Sequence, residues 1–261
     1  MIHVGQSTKS SFPGADLDPP IDHIIERKAT MDAIRFEIVS SMTCPFAQRT
    51  RMALLEKGIP FSVAEISLDD KPDWFLAISP YSKVPLLRDG DAVIFESAVI
   101  GEYLEEVCPE PPLMPADPVA RAKVRVWVDF ANVRFIPHVY KLLMAQDAAA
   151  QEHRADLLVA AIRRMEEHLA SADANGFWIG DQITFADLSF YPHLERFCAV
   201  EHYRGVKIPD DCPRLRDWLA MMSERESARK VARDPEVLIR NWSKYARGGG
   251  DGATARDMRD I

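Results

Sequence analysis

The chain has 261 residues, 47% apolar and 28% charged, the proportions of ordinary globular protein and enough length for two modest domains with real cores. A net charge of −8 without a basic run argues against nucleic acid as a partner, and no apolar stretch approaches the roughly 18 residues of a membrane span. Four cysteines (Cys44, Cys108, Cys198 and Cys212) stand far apart without paired spacing, which argues against a metal centre or a disulfide framework and for a reduced, cytoplasmic protein.

Residues 1–31 mix Ser, Pro, Gly and Asp with little periodicity and read as a disordered arm; they lack the features of a secretory signal, and Met31 offers an alternative start. Residues 34–38 alternate apolar and polar side chains, as a half-buried strand does. Thr43-Cys44-Pro45-Phe46-Ala47-Gln48-Arg49 then turns the chain into a helix over 45–57, with Pro45 in its first turn and Gly58 as its stop. Cys44 therefore falls at the positive end of a helix dipole, a setting that lowers a thiol pKa and makes a nucleophilic thiolate. Burial as an inert core residue is the commonest fate of a cysteine, but a turn position faces a cleft. Ala47 stands where a resolving cysteine would, so a small thiol from solution has to supply the second sulfur.

Residues 61–66 read as a second strand, parallel to the first through a right-handed crossover. Residues 71–75 open a short helix or an irregular turn. Residues 84–87 and 92–95 flank Arg88-Asp89-Gly90-Asp91 as a hairpin, and a helix starts at 96–104. The sum, over 32–110, is a thioredoxin-like layout. Prolines crowd 108–115 and mark a domain boundary. Beyond it strand signals vanish: a helix over 119–144 kinked at Pro137, a stripe from Leu157 to Leu169, and helices near 186–199, 214–223 and 227–239 make 117–246 an all-helical domain. Thr184-Phe185-Ala186-Asp187 is a capping box, with Ile183 and Leu188 spaced as its hydrophobic staple. The Gly-rich 247–261 reads as a flexible tail. The fold class is α+β.

Four stretches in the right order resemble the cytosolic glutathione transferases, most closely their cysteine-type, omega-like branch, over residues 34–245. They are Cys44-Pro45-Phe46-Ala47-Gln48-Arg49-Thr50-Arg51; Leu68-Asp69-Asp70-Lys71-Pro72-Asp73-Trp74-Phe75; Lys83-Val84-Pro85-Leu86-Leu87 followed by Phe95-Glu96-Ser97-Ala98; and Gly180-Asp181-Gln182-Ile183-Thr184-Phe185-Ala186-Asp187. The resemblance implies a cis-Pro85 that leaves the Val84 backbone to pair with glutathione as an added strand. It also implies a γ-glutamyl site at Glu96 and Ser97, with Ser97 as helix N-cap, a glycyl carboxylate at Lys71, and Leu68 packed nearby. Phe46, Phe130, Arg134, His138, Tyr191 and Trp242 are the candidates to line a pocket for the second substrate.

The activity so implied is glutathione-dependent thiol transfer through a Cys44–glutathione mixed disulfide, acting on glutathionylated thiols, dehydroascorbate or aromatic thioethers. The tail after an aromatic helix is similar to that of some bacterial glutathione lyases acting on lignin-derived thioethers. Two other readings are conjugation of glutathione through a hydroxyl such as Ser41 or Thr43, and a non-catalytic binding protein of the same fold. Glutathione is the expected co-substrate, with no metal, and a homodimer the expected assembly.

Overall fold

The computed structural model describes residues 34–171, 173–250 and 252–260; the arm expected at 1–31, with Met31, lies outside them. Strand β1 (Phe36–Ser40) buries Phe36 and Ile38 on one face and leads through a tight turn into α1 (Pro45–Glu56). Gly58, at φ +62, ends that helix in the left-handed region that glycine enters without a Cβ clash. Strand β2 (Phe61–Glu65) returns parallel to β1, Phe36 opposite Phe61. The stretch read as a short helix or a turn is a helix, α2 (Asp73–Ile78). The hairpin β3 (Leu86–Asp89) and β4 (Ala92–Phe95) begins two residues later than the apolar run, because Pro85 has no N–H to give a ladder. Among the described residues the sheet has four strands in the order β2-β1-β3-β4, with β3 antiparallel to β1 and to β4. Helix α3 (Ser97–Val107) completes this half.

The second half is helical. Asp117 caps α4 (Pro118–Phe130), its carboxylate accepting from Ala120 N–H at 2.8 Å. The helix expected over 119–144 does not simply kink at Pro137. It passes through a π-helical turn, Ala131–Phe135, and resumes as α5 (Ile136–Met144), so that Pro137 falls in a new first turn where no N–H is needed. Next come α6 (Ala148–Leu169), α7 (Phe185–Glu195), α8 (Phe197–Arg204), α9 (Pro213–Ser223), α10 (Glu226–Val231) and α11 (Pro235–Ala246). The single helices expected at 186–199 and 227–239 are each two, broken at Arg196 and before Pro235. The tail expected to be flexible carries a helix, α12 (Ala253–Asp260), with Ala255 buried.

The capping box forms at the start of α7. Asp187, fully buried, accepts from Thr184 N–H at 2.8 Å, Thr184 Oγ1 at 2.9 Å, Trp178 N–H at 2.9 Å and Trp218 Nε1 at 2.8 Å. It thereby hangs the loop before α7, and α9, on one carboxylate. Around it Trp178 stacks on Phe190 at 4.0 Å between centroids, in a core that continues into the sheet half.

Helix α1 joins the halves, packing on α3 behind it and on α7 and α10 in front. Gln48 Nε2 donates to Glu195 at 2.8 Å, and Arg225 grips Glu56 through two bonds of 2.8 and 2.7 Å. Lys57, its side chain fully buried, pairs with Glu105 at 2.8 Å and donates to the carbonyls of Cys108 and Pro111. The linker is thus tied to the sheet half by one ammonium.

Candidate active site

Cys44 is the residue immediately before α1, with extended φ and ψ (−89°, 117°) and Pro45 next in the first helical turn. Its N–H donates to Ser41 O at 2.9 Å and its carbonyl accepts from Gln48 N–H at 3.0 Å, which fixes the turn. The thiol is 7% exposed and donates to the Val84 carbonyl at 3.6 Å. The Val84–Pro85 peptide bond is cis. Sequence order alone predicts the helix-terminal setting, and with it a lowered pKa. Here burial pushes the Cys44 thiol up, against the Ala47 and Phe46 N–H groups and the Arg196 and Arg51 guanidinium groups that favour the thiolate. In this conformation desolvation outweighs the helix end.

Three neighbouring cavities lie here, two of them lined by Cys44. One, of about 210 Å³, is lined by Val84, Pro85, Glu96 and Ser97. A second, of about 370 Å³, holds Cys44 with Phe46, Leu68, Tyr140 and Trp242. A third, of about 290 Å³, holds Cys44, Leu68, Lys71 and Val84. The structure therefore brings Cys44, Phe46, Leu68, Lys71, Val84, Pro85, Glu96, Ser97 and Trp242 to one region.

Two details differ from expectation. The residue preceding α3 is Glu96 rather than Ser97, and Ser97 opens the helix proper. Glu96 stands at φ +65, a costly conformation for a residue with a Cβ, of the kind that clusters at ligand-binding and catalytic positions. Ser97 is buried and accepts instead from Arg49 Nη1 at 3.4 Å. Lys71 is half-buried, and its ammonium pKa is lowered by burial and by the like charges of Arg256 and Lys244, with Asp69 opposing. A carboxylate arriving there meets the Lys71 ammonium, with Lys244 close by and paired with Asp69 at 2.8 Å.

Four candidates for the second-substrate pocket lie outside the cavities at Cys44. Phe130 packs against Trp127 and Phe190 in the helical core, at 5.1 and 6.4 Å between centroids. Arg134 is exposed. His138 is half-buried among Arg154, Lys141 and Arg134, which with burial lower its pKa. Tyr191 is 2% exposed, and burial raises its hydroxyl pKa. A helical stripe shows which residues share a face, and it does not show which neighbour that face meets.

Residues that the sequence reading passed over do face the groove. Tyr140 packs against Trp242 at 5.4 Å and against Tyr245 at 5.1 Å, walling the second cavity. Arg49, 2% exposed, donates to Asn132 at 3.0 Å and reaches the first cavity beside Glu96. Its place inside the Cys44 motif was the available signal. For Tyr140 there was none. Among the described residues no group of His, Cys, Asp or Glu is placed to hold a metal ion.

Known proteins are similar to this chain in sequence and fold. Residues 43–107 match the glutathione S-transferase N-terminal domain and residues 147–220 the C-terminal domain. Rice probable glutathione S-transferase DHAR1, cytosolic, is 34% identical over 203 residues, 77% of this chain and 89% of the relative. The chain belongs to the glutathione S-transferase family. Rat glutathione S-transferase omega-1 is 31% identical over 192 residues, 73% of the transferase and 77% of the relative. The crystal structure of glutathione transferase Omega 3C from Trametes versicolor superposes with a TM-score of 0.74 at 26% identity, covering 82% of this transferase and 91% of that chain. Rice GST1 in complex with glutathione superposes at 0.76 with 25% identity, covering 83% and 98%. The transferase is thus an enzyme of omega-like kinship with a thioredoxin-like half and a helical half. No helix among its described residues is long and apolar enough to cross a membrane.

Proposed function

We propose that the transferase catalyses glutathione-dependent thiol transfer, with Cys44 as nucleophile and acceptor of the glutathionyl group. One observation carries this reading: the Cys44 sulfur lies at the start of α1, 3.6 Å from the carbonyl of the residue before a cis-proline. Glu96 and Ser97 lie at one end of the surrounding groove and Lys71 at the other. The Val84 backbone pairs with the cysteinyl residue of glutathione as an added strand. Glu96 takes its ammonium, Ser97 and the first N–H groups of α3 take the γ-glutamyl carboxylate, and Lys71 the glycyl carboxylate. Leu68 covers the peptide.

In the first step the Cys44 thiolate attacks the glutathionyl sulfur of a mixed disulfide. The S–S bond breaks, the substrate leaves as a thiolate that takes up a proton, and Cys44 is left joined to glutathione. The thiolate of a second glutathione then attacks the glutathionyl sulfur of that adduct, releasing glutathione disulfide and the Cys44 thiolate. The Phe46 and Ala47 N–H groups hold the charge at each stage. Dehydroascorbate and aromatic glutathione thioethers are further substrate classes for the cavity walled by Tyr140 and Trp242.

The test is intact and peptide mass spectrometry after exposure to glutathione disulfide. A single reducible glutathionyl adduct on Cys44 is expected, and labelling of Cys108, Cys198 or Cys212 in its place overturns the mechanism. Ser41 and Thr43 line the same cavity, with 3.2 Å between their hydroxyl oxygens, so hydroxyl-driven conjugation is the second reading. Cys44→Ser separates the two: it abolishes thiol transfer and raises conjugation if Cys44 is the nucleophile. We place the enzyme in the cytoplasm on the strength of its four free cysteines and the name of the rice relative. A homodimer accords with the exposed Val99 on α3 and Val126 on α4, and light scattering reads it directly.

A further inference from the structure

We infer that α12 is an autoinhibitory strap, lying in the glutathione groove proposed above and covering Cys44 until the tripeptide displaces it. The three cavities are pieces of one groove. Cys44 faces the second and third, Val84 the first and third, and Thr254 of α12 faces all three. An extended tripeptide spans roughly 10 Å at 3.3–3.6 Å per residue. Running from Ser97 past Val84 to Lys71, it has to cross the space that Thr254 fills.

The strap is fastened at two kinds of point. Ala255 and Met258 are 1% and 7% exposed, and Met258 joins the apolar core that reaches into both halves. The Asp257 carboxylate, its side chain 46% exposed, is ion-paired with Nζ of Lys83, a groove-wall side chain 28% exposed. One feature opposes it: Arg256 of α12 and Lys244, the latter paired with Asp69 at 2.8 Å, bring like charge to Lys71 and lower its pKa, a repulsion that moving α12 away relieves. The bend that returns the chain to the groove is made at Gly248, φ +72, and at Gly250, where a Cβ would stand 2.9 Å from the Tyr245 ring. Burial under the strap also fits the raised pKa of the Cys44 thiol.

The test uses the full chain and reads alkylation of Cys44 by iodoacetamide in the absence of glutathione, with binding of S-methylglutathione measured separately by calorimetry. Asp257→Lys sets two ammonium groups against each other, and alkylation is expected to rise about two- to fivefold, the range that a partly exposed ion pair commands. Met258→Asp, which cannot bury its charge, raises it about tenfold. The exchanged pair K83D/D257K returns the alkylation rate toward wild type. S-methylglutathione binds D257K more tightly than wild type, because less has to be displaced. Unchanged alkylation in both single variants overturns the strap. Weaker S-methylglutathione binding by D257K also overturns it, since a lid that closes over bound ligand behaves that way. Faster alkylation with no S-methylglutathione binding by any form sustains the cover over Cys44 and sinks the glutathione reading, so the two failures are distinguishable.

Discussion

Replacing Asp187 removes the acceptor of four hydrogen bonds from a site with no exposure. Every partner is a donor, so the ionised carboxylate is the form that fits, although burial pushes its pKa up. In Asp187→Ala the Thr184 and Trp178 N–H groups, the Trp218 indole and the Thr184 hydroxyl lose their acceptor. A buried donor left unpaired costs about 1–3 kcal/mol. The hydroxyl can rotate and the losses are not additive, so about 3–5 kcal/mol is expected, more than the ~1 kcal/mol of an ordinary helix cap. Asp187→Asn keeps one oxygen but turns an amino group toward donors, and it is expected to recover less than half. Urea unfolding with the m-value unchanged is the assay, paired with the Cys44 alkylation rate per folded molecule, which stays as in wild type. A loss under 1 kcal/mol for Asp187→Ala, or an alkylation rate that falls with stability intact, refutes this account.

Gly101→Ala places a methyl 2.7 Å from the Phe185 ring where α3 meets α7, and unfolding should show a loss of about 1–3 kcal/mol; a change within 0.5 kcal/mol (roughly the scatter of a neutral surface substitution) tells against that packing. Lys57→Met strands the buried Glu105 carboxylate and two carbonyls, for about 3–5 kcal/mol by the same measurement. Lys71→Ala is expected to raise the glutathione Kd about three- to tenfold and to flatten its salt dependence, and an unchanged Kd in calorimetry rejects Lys71 as the carboxylate partner. His193 is fully buried against Phe46, and burial together with Arg49 and Arg196 holds its pKa well below 6.5. Its folded form therefore stays neutral, so its contribution is complete above about pH 6.5 and is lost below it as the unfolded chain takes up a proton. Stability should fall by up to about 1.4 kcal/mol per pH unit on this account. His193→Phe should lessen that slope between pH 6.5 and 5, and an identical slope contradicts it.

The sheet half was legible because its signals are local. Alternation at Phe36-Glu37-Ile38, Pro45 in a first turn and Gly90 in a hairpin each specify a backbone state within a few residues. The capping box at Thr184 and Asp187 is local in the same sense, although its reach to Trp218 is not. The helical half was legible as helices and not in their breaks: Arg196 interrupts one helix without a glycine or proline at its own position. The groove was half legible. Cys44, Val84 and Lys71 follow from motif order and Arg49 stands within the Cys44 motif, whereas Tyr140 and Asn132 reach the groove through packing between elements far apart in sequence. The strap was illegible, since a Gly-rich stretch reads as freedom whether or not the helix beyond it finds a seat.

Helix α1 faces two ways, and this bears on how the enzyme can be taken apart. Cut at the proline-dense junction, the sheet half would carry Arg49 into water without Asn132 and Gln48 without Glu195, and the helical half would bare Arg196 without Gln48. Chimeras between relatives will work only when both surfaces of this seam come from one parent, and hydrogen exchange should find α1 and α7 opening together.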